Sequence, residues 1–278
     1  MLISVIIPAY NEEKDIAECL ESLKKQSFKK FEIIVVDDGS NDNTLGIIRG
    51  FRGIRVLKGE HQGPGFSRNL GAKVARGGIL IFVDADMTFD RNYLKNLIDP
   101  IIKGKAYGTA HGVEYASNLQ NIWSRCGGKT RVDPKTKEHA IFRAIRKDIF
   151  FEKGGFDPRY GYADDQTFFL KYGMKALAVN NAACYHKNPE TLKAVYMQSK
   201  WIGASIDNQF TRTPIIRHLL PFFMILASPI SIPVFSVKHC YSNKDFTIFP
   251  QMLVFMVARY LGTINGLLNK VYLNKNIR

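Results

Sequence analysis

Apolar residues along the first hundred positions come in short unbroken runs that alternate with stretches of helical spacing. ISVII, EIIVV and ILIFV are too short for helices and too apolar for surface strands, so they read as strands buried on both faces of a sheet. After the first run, Asn11 is placed to cap a helix ending about residue 26, in which Ile16, Leu20 and Leu23 share a face. A second strand is expected at residues 31–38, a helix at 44–51, a third strand at 54–58, a helix opening near Pro64, and a fourth strand at 79–86.

This β-α-β-α order implies parallel strands joined by right-handed crossovers, an α/β fold with a mostly parallel sheet flanked by helices. Beyond a helix at residues 92–103 the pattern is mixed, with strands near 106–115, 140–145, 176–179 and 182–185 and a helix over 191–210. No low-complexity linker interrupts this stretch. Residues 1–210 are therefore expected to form one α/β domain, with a first half at 1–103 and a second at 104–210.

The character then changes. Residues 219–237 hold 19 positions without a charge, and residues 246–269 form a second apolar run interrupted only by Arg259. Each is long enough to cross a hydrocarbon core, and the short connector KHCYSNKD returns the chain to the side it left. Residues 211–278 are thus expected to be a membrane-associated helical hairpin with a basic tail. Pro221, Pro229 and Pro233 weaken a straight span, and Arg259 is costly at mid-bilayer. The competing reading is a soluble apolar helical pair or an oligomer interface.

Charge supports the membrane. The net charge is +14, and from Lys187 onward 11 Lys and Arg face only Glu190, Asp207 and Asp245. So basic a segment calls for an anionic partner, and its apolar runs point to a membrane surface rather than nucleic acid. Arg212, Arg217, Lys270, Lys275 and Arg278 flank the hairpin, as expected for a domain on the cytoplasmic face of the cell membrane. Cys19, Cys126, Cys184 and Cys240 are scattered and form no CxxC pair, which argues against a zinc site or a disulfide framework. The chain enters a strand almost at once, so no targeting leader is expected.

Candidate chemistry lies where the strands end. The run ILIFVDADM stops at Asp84 and Asp86, which must emerge at the carboxyl edge of the sheet, where open α/β sheets bind ligands. Two carboxylates there suit a divalent cation and its phosphate ligand, although an isolated pair is more often a polar turn that caps backbone amides. Asp37 and Asp38 close the second strand before Gly39, placed either to accept from a ribose or base edge or to cap the turn. Gly63-Pro64-Gly65-Phe66-Ser67-Arg68 resembles a phosphate loop but does not satisfy GxGxxG, since Arg68 stands where the third glycine would fall. Arg143 and Arg146 alternate along a strand-like segment, facing either an anionic ligand or solvent. Trp123 and Trp201 have no spacing that specifies a carbohydrate platform.

In order, SVIIPAYNEE, EIIVVDDGSNDNT, GPGFSRNLGAKVARGG, FVDAD and GGFDPRYGYADDQTFFL resemble the motifs of family 2 glycosyltransferases with the GT-A fold, over residues 2–191. The resemblance implies a GT-A-type, Rossmann-like sheet and inverting transfer of a sugar from a nucleotide-sugar donor, a UDP- or GDP-sugar foremost. It implies that Pro8, Tyr10 and Asp38 hold the nucleoside and that Arg68 approaches the base or phosphates. Asp84 would meet the ribose or the metal, and Asp86 the Mg2+ or Mn2+ on the diphosphate. Asp165 is implied as catalytic base with Asp164 orienting it; the family often has Glu where Asp164 stands, which leaves the choice between the two open. His186 stands where relatives carry a histidine near the diphosphate, as metal ligand or phosphate contact, the alternative being a structural histidine.

These residue types match the chemistry. A divalent ion offsets negative charge on a leaving diphosphate, while an ionised carboxylate opposite takes the proton of the acceptor hydroxyl. Asp165, at the start of a helix through Phe168 and Leu170, is expected to have its charged form favoured by the helix dipole. With the apolar tail, the expected acceptor is a glycan or a lipid-linked molecule such as a polyprenyl phosphate. A nucleotidyltransferase is the rival enzyme, but PAYNEEKD lacks the Gly-rich basic loop expected beside its first strand. A non-catalytic sugar-nucleotide-binding scaffold is the other rival, and the acidic residues at each implied position argue against it.

Overall fold

In the computed structural model the described residues are 1–132, 135–210 and 214–273, with the side chains of 207–210, 214–218 and 271–273 excluded. Arg212, Lys275, Arg278 and the Arg217 side chain, expected to flank the hairpin, lie outside the described residues. Two compact units form. One comprises Met1–Tyr115, Thr130–Pro158 and Asp164–His186; the other comprises Ala116–Lys129, Arg159–Ala163 and the described residues from Lys187 onward.

The first unit is built on four parallel strands, β1 (Ile3–Ala9), β2 (Phe31–Asp37), β3 (Ile54–Lys58) and β4 (Ile79–Phe82), in the order β3-β2-β1-β4. Helices α1 (Ile16–Lys24), α2 (Thr44–Arg49) and α3 (Pro64–Val74) connect them. After β5 (Met87–Phe89) and α4 (Tyr93–Ile102) come β6 (Gly108–Ala116), α5 (Ile122–Cys126), β7 (Glu138–His139), β8 (Ala144–Arg146) and α6 (Lys147–Glu152). Then follow α7 (Thr167–Tyr172) and β9 (Ala176–His186). From β4 the sheet continues through β8, β6, β9 and β5, with β7 on β9 and antiparallel pairing at β4–β8, β8–β6, β9–β5 and β7–β9. The sheet is mixed, its parallel half being the first four strands.

Alternation along β1 divides the core. Ile3, Val5 and Ile7 join Ile33, Val35, Ile79 and Ile81 beneath α1 and α4, while Ile6 joins Ile34, Val36, Leu80 and Phe82 on the other face. Each such side chain contributes about 1.5–3 kcal/mol on full burial, which fixes the strands and the edge at which they end. Helix α3 lies tight on β1: a Cβ on Gly71 would stand 2.5 Å from Ile6 Cγ2.

Two local expectations are corrected, and one short element is added. Asn11 does not cap α1; it adopts φ 56° and its Oδ1 accepts from the Asn41 N–H at 2.9 Å, so α1 begins at Ile16 after a turn. The three-residue β5 was not expected, being too short to show a period. The two strands expected at 176–179 and 182–185 are the single β9, because Asn180 and Asn181 stay exposed within it rather than breaking it.

The second unit contains α8 (Leu192–Phe210), α9 (Pro214–Ser242) and α10 (Phe249–Leu273). Glycines let α8 and α10 approach closely: a Cβ on Gly203 would lie 2.1 Å from Thr263 O, and one on Gly266 would lie 2.0 Å from Lys200 O. Helix α9 continues through Pro221, Pro229 and Pro233. Leu219–Ser242 and Phe246–Lys270 are long and apolar enough to cross a membrane, with mean hydropathies of 1.9 and 1.3. Phe222, Phe223, Leu226, Ile230 and Val234 are exposed on α9. Trp201 meets Tyr162 edge-on at 5.1 Å, and Trp123 packs on the Val195–Met252 core of this unit. All four cysteines are free and buried.

Candidate active site

Register decides which residues leave the sheet together. Ala9 pairs with Asp37 across β1 and β2, and Ile6 with Phe82 across β1 and β4, so Tyr10, Asp38 and Asp84 emerge at one carboxyl edge.

Asp84 is held by two guanidiniums. Arg68 Nη2 donates to its Oδ1 at 2.6 Å and Arg143 Nη1 to its Oδ2 at 3.0 Å. Burial alone would raise the Asp84 pKa, but Arg143 and Arg68 outweigh it and keep the carboxyl well below the usual range. The other arm of the fork, Arg68 Nη1, donates to Asp164 Oδ1 at 2.7 Å. One buried side chain therefore ties the end of β4 to the acidic pair that precedes α7. Its guanidinium lies over Phe156, 5.9 Å from the ring centroid. The Nε atoms of Arg68 and Arg143 are buried and have no hydrogen-bond partner among the described residues.

Asp164 lies against the first turn of α3. A Cβ on Gly65 would stand 2.6 Å from its carboxylate, and the Gly65 N–H donates to it, so α3 offers Asp164 its positive end. Burial raises the proton affinity of both Asp164 and Asp165, with Arg68 opposing it. The expected dipole stabilisation of charged Asp165 is corrected here. Helix α7 starts only at Thr167 and is six residues long, and burial dominates at Asp165. Asp164 is the member placed at a helix N-terminus.

The loop before the pair is braced on α3. Gly154 and Gly155 take φ of 81° and 73°, conformations that only glycine adopts cheaply. Asn69 Nδ2 donates to the Phe156 carbonyl at 2.7 Å and its Oδ1 accepts from the Phe156 N–H at 2.9 Å. The Thr167 hydroxyl donates to the Asp164 carbonyl at 2.6 Å.

Asp86 belongs to a second cluster. His186, at the end of β9, places Nε2 3.0 Å from Asp86 Oδ2 and Nδ1 2.6 Å from Glu114 Oε1. Arg131 Nη1 meets the same His186 nitrogen and donates to Glu114 Oε1 at 3.3 Å. Burial disfavours a charged His186, but Asp86 and Glu114 outweigh it and push its pKa up to about 9. Glu12 is pushed up to about 8, first by burial and then by the charge of Asp86. The Asp86 carboxylate oxygen and the His186 imidazole nitrogen, 3.0 Å apart, are a pair that could hold a divalent cation, the carboxylate being the donor suited to Mg2+ or Mn2+ and the imidazole the softer one. Asp84, with both oxygens on guanidiniums, is less available as a ligand. His111, Glu114 and Cys184 also bring ligand atoms within 4.8 Å of one another, but His111 Nε2 already pairs with Glu114 at 2.9 Å and burial keeps the Cys184 thiol protonated.

At the far end of the edge the geometry differs. Asp38 is buried, its oxygens accepting from the N–H groups of Gln62 and Gly63 at 3.0 and 2.7 Å, so its side chain braces the loop ahead of α3. Tyr10 is 40% exposed and its ring packs on His61, centroids 4.0 Å apart. Pro8 is half-buried within β1. Arg143 is buried on Asp84, whereas Arg146 is exposed and pairs with Asp148. Glu12, His61, Glu114 and Arg131 were not singled out from the sequence, and Gly65 was noted there only as part of the glycine-rich loop. For Glu114 a signal existed, an acid within the apolar strand pattern GTAHGVEYA.

Comparisons with known proteins agree with this architecture. The family profile "Glycosyl transferase family 2" matches residues 4–158. Glycosyltransferase GlyG of Streptococcus pneumoniae is 30% identical over 228 residues, 72% of this chain and 75% of that protein. TarS of Staphylococcus aureus, a poly(ribitol-phosphate) beta-N-acetylglucosaminyltransferase, is 44% identical over 103 residues; the match spans 34% of this chain and 18% of TarS. The crystal structure of TarS 1–349 in complex with UDP-GlcNAc superposes with a TM-score of 0.58 at 19% identity, covering 100% of this chain and 93% of that one. The mannosyltransferase PcManGT from Pyrobaculum calidifontis, in complex with GDP-Man and Mn2+, gives 0.56 at 18% identity over 94% and 86% of the two chains. These two likenesses establish the fold. Matched by the profile over more than half its length and by GlyG over most of both chains, the protein belongs to glycosyl transferase family 2.

Proposed function

We propose that the protein is an inverting, metal-dependent glycosyltransferase. It moves a sugar from a UDP- or GDP-sugar to a hydroxyl of a glycan or lipid-linked acceptor at the cytoplasmic face of the cell membrane. The observation that carries this reading is the Arg68 fork, which joins the donor-side Asp84 to the acceptor-side Asp164 within one cluster. Complexes of the fold neighbours with UDP-GlcNAc and with GDP-Man and Mn2+ support the donor class and the ion.

Tyr10 and His61 offer an aromatic surface to the base, and Asp38 fixes the loop that leads to Arg68. The unpartnered Nε groups of Arg68 and Arg143 are donors for the diphosphate. Asp86 and His186 would hold Mg2+ or Mn2+, which supplies Lewis-acid neutralisation of the leaving diphosphate. With Asp164 engaged by Arg68 and Gly65, Asp165 is the freer base and takes the acceptor proton. The acceptor oxygen bonds the anomeric carbon as the bond to the diphosphate oxygen breaks, and this single displacement inverts the centre. Residues 1–210 form the transfer domain, and 211–278 seat it on the membrane, a role supported by the exposed apolar face of α9.

Release of nucleoside diphosphate from a panel of UDP- and GDP-sugars, with Mn2+ and purified membrane glycolipid acceptors, tests the reading. Asp86→Asn and Asp165→Asn should each reduce transfer by about 10²-fold or more while leaving the thermal midpoint in place. Full turnover by both variants, or pyrophosphate release from a nucleoside triphosphate, would contradict it.

A further inference from the structure

A carboxylate buried among apolar strands is costly unless its oxygens are paired, so the pairing of Glu114 calls for a reason. Its exposure is 5%, yet it accepts from three directions: His186 Nδ1 at 2.6 Å and Arg131 Nη1 at 3.3 Å on Oε1, and His111 Nε2 at 2.9 Å on Oε2. His111 is anchored in turn, its Nδ1 3.3 Å from both the Tyr93 hydroxyl and Cys184 Sγ. Asp86, His186, Glu114, His111 and Tyr93 thus form a polar chain running from the strand-end aspartate into the interior. Each inner member fixes the ring or carboxylate outside it.

We infer that Glu114 is the positioning residue of the cation centre: by accepting from His186 Nδ1 it fixes the ring so that Nε2 is the nitrogen presented beside Asp86. The inference rests on the reading that Asp86 and His186 hold the cation. The consequence follows from imidazole chemistry. Its two nitrogens point to opposite edges, so a ring whose Nδ1–H is held by a carboxylate leaves the Nε2 lone pair for a metal and is the more basic ligand for it. Without Glu114 the ring turns about its side-chain bonds and Arg131, facing the same nitrogen, is left beside it uncompensated.

The test is Mn2+ binding to the full chain, without nucleotide, followed by the electron paramagnetic resonance signal of free Mn2+. It compares wild type, His186→Ala, Glu114→Gln and Glu114→Leu, with thermal midpoints alongside. Glu114→Gln keeps an acceptor oxygen but not the charge, and should raise the Mn2+ dissociation constant by about 10-fold, and Glu114→Leu by up to about 100-fold. If Glu114→Leu fails to fold, Glu114→Gln still decides. Should Glu114→Gln bind Mn2+ as tightly as wild type while His186→Ala binds weakly, Glu114 merely supports the fold and the inference is overturned with the cation reading intact. Should His186→Ala bind as tightly as wild type, the cation reading itself falls and takes the inference with it.

Discussion

Arg68 reaches two carboxylates from one buried guanidinium, at 2.6 and 2.7 Å, and lysine cannot reproduce that fork. Arg68→Lys is therefore expected to lower transfer by about 10²-fold while weakening Mn2+ binding little, because Asp86 and His186 lie outside the fork. Equal loss of both, measured by turnover and Mn2+ titration, would show that the two clusters are not separable. Proton release gives a second prediction. Against burial, the charge of Asp86 pushes the pKa of His186 up to about 9, and burial pushes that of Glu12 up to about 8; a cation held by Asp86 and His186 must displace the imidazole proton, and its charge opposes protonation of Glu12. Mn2+ affinity should therefore rise with pH from 6 until these groups are deprotonated, then level; calorimetry that finds pH-independent affinity would refute the assignment. At this scale Asp84, Asp86, Asp164, Asp165, Arg68 and His186 were candidates from the sequence through the company of their motifs. Glu114 and Arg131 have no motif, and their proximity to His186 depends on strand pairing and a loop, which no local pattern encodes.

Helix α3 does more than cross over between strands. Its first turn supplies the Gly65 N–H to Asp164, its next supplies Arg68, and Asn69 clasps the glycine loop before the acidic pair. Gly65→Ala places a Cβ 2.6 Å from the Asp164 carboxylate and should displace it, reducing transfer with donor binding largely kept. Gly155→Ala combines φ 73° with a contact of 2.7 Å to Asn69 Oδ1, and should lower stability by about 1–3 kcal/mol in chemical denaturation. Unchanged stability there would mean the loop is not clasped as described. The main elements were legible because buried parallel strands read as unbroken apolar runs and Pro64 marks the start of α3. β5 and the true start of α1 were not. Their limits are set by partners far along the chain, β9 for one and the loop holding Asn41 for the other.

At the scale of the whole molecule, a family 2 glycosyltransferase carries two helical stretches, Leu219–Ser242 and Phe246–Lys270, each long and apolar enough to cross a membrane. Phe222→Asp combined with Leu226→Asp on α9, both exposed side chains, should release the protein from vesicles of mixed neutral and anionic lipid without altering the thermal midpoint. Persistent vesicle binding by that variant would remove α9 from the membrane role. The central claim concerns a single place where carboxylates from distant segments meet a cation and a leaving diphosphate. Anomalous diffraction from crystals grown with Mn2+ and a nucleoside diphosphate tests it most directly. One manganese peak is expected beside Asp86 and His186, with the diphosphate reaching toward Arg68 and the Asp165 carboxylate on the same side of it. A manganese peak elsewhere, or Asp165 opening onto a surface remote from the diphosphate, would contradict it.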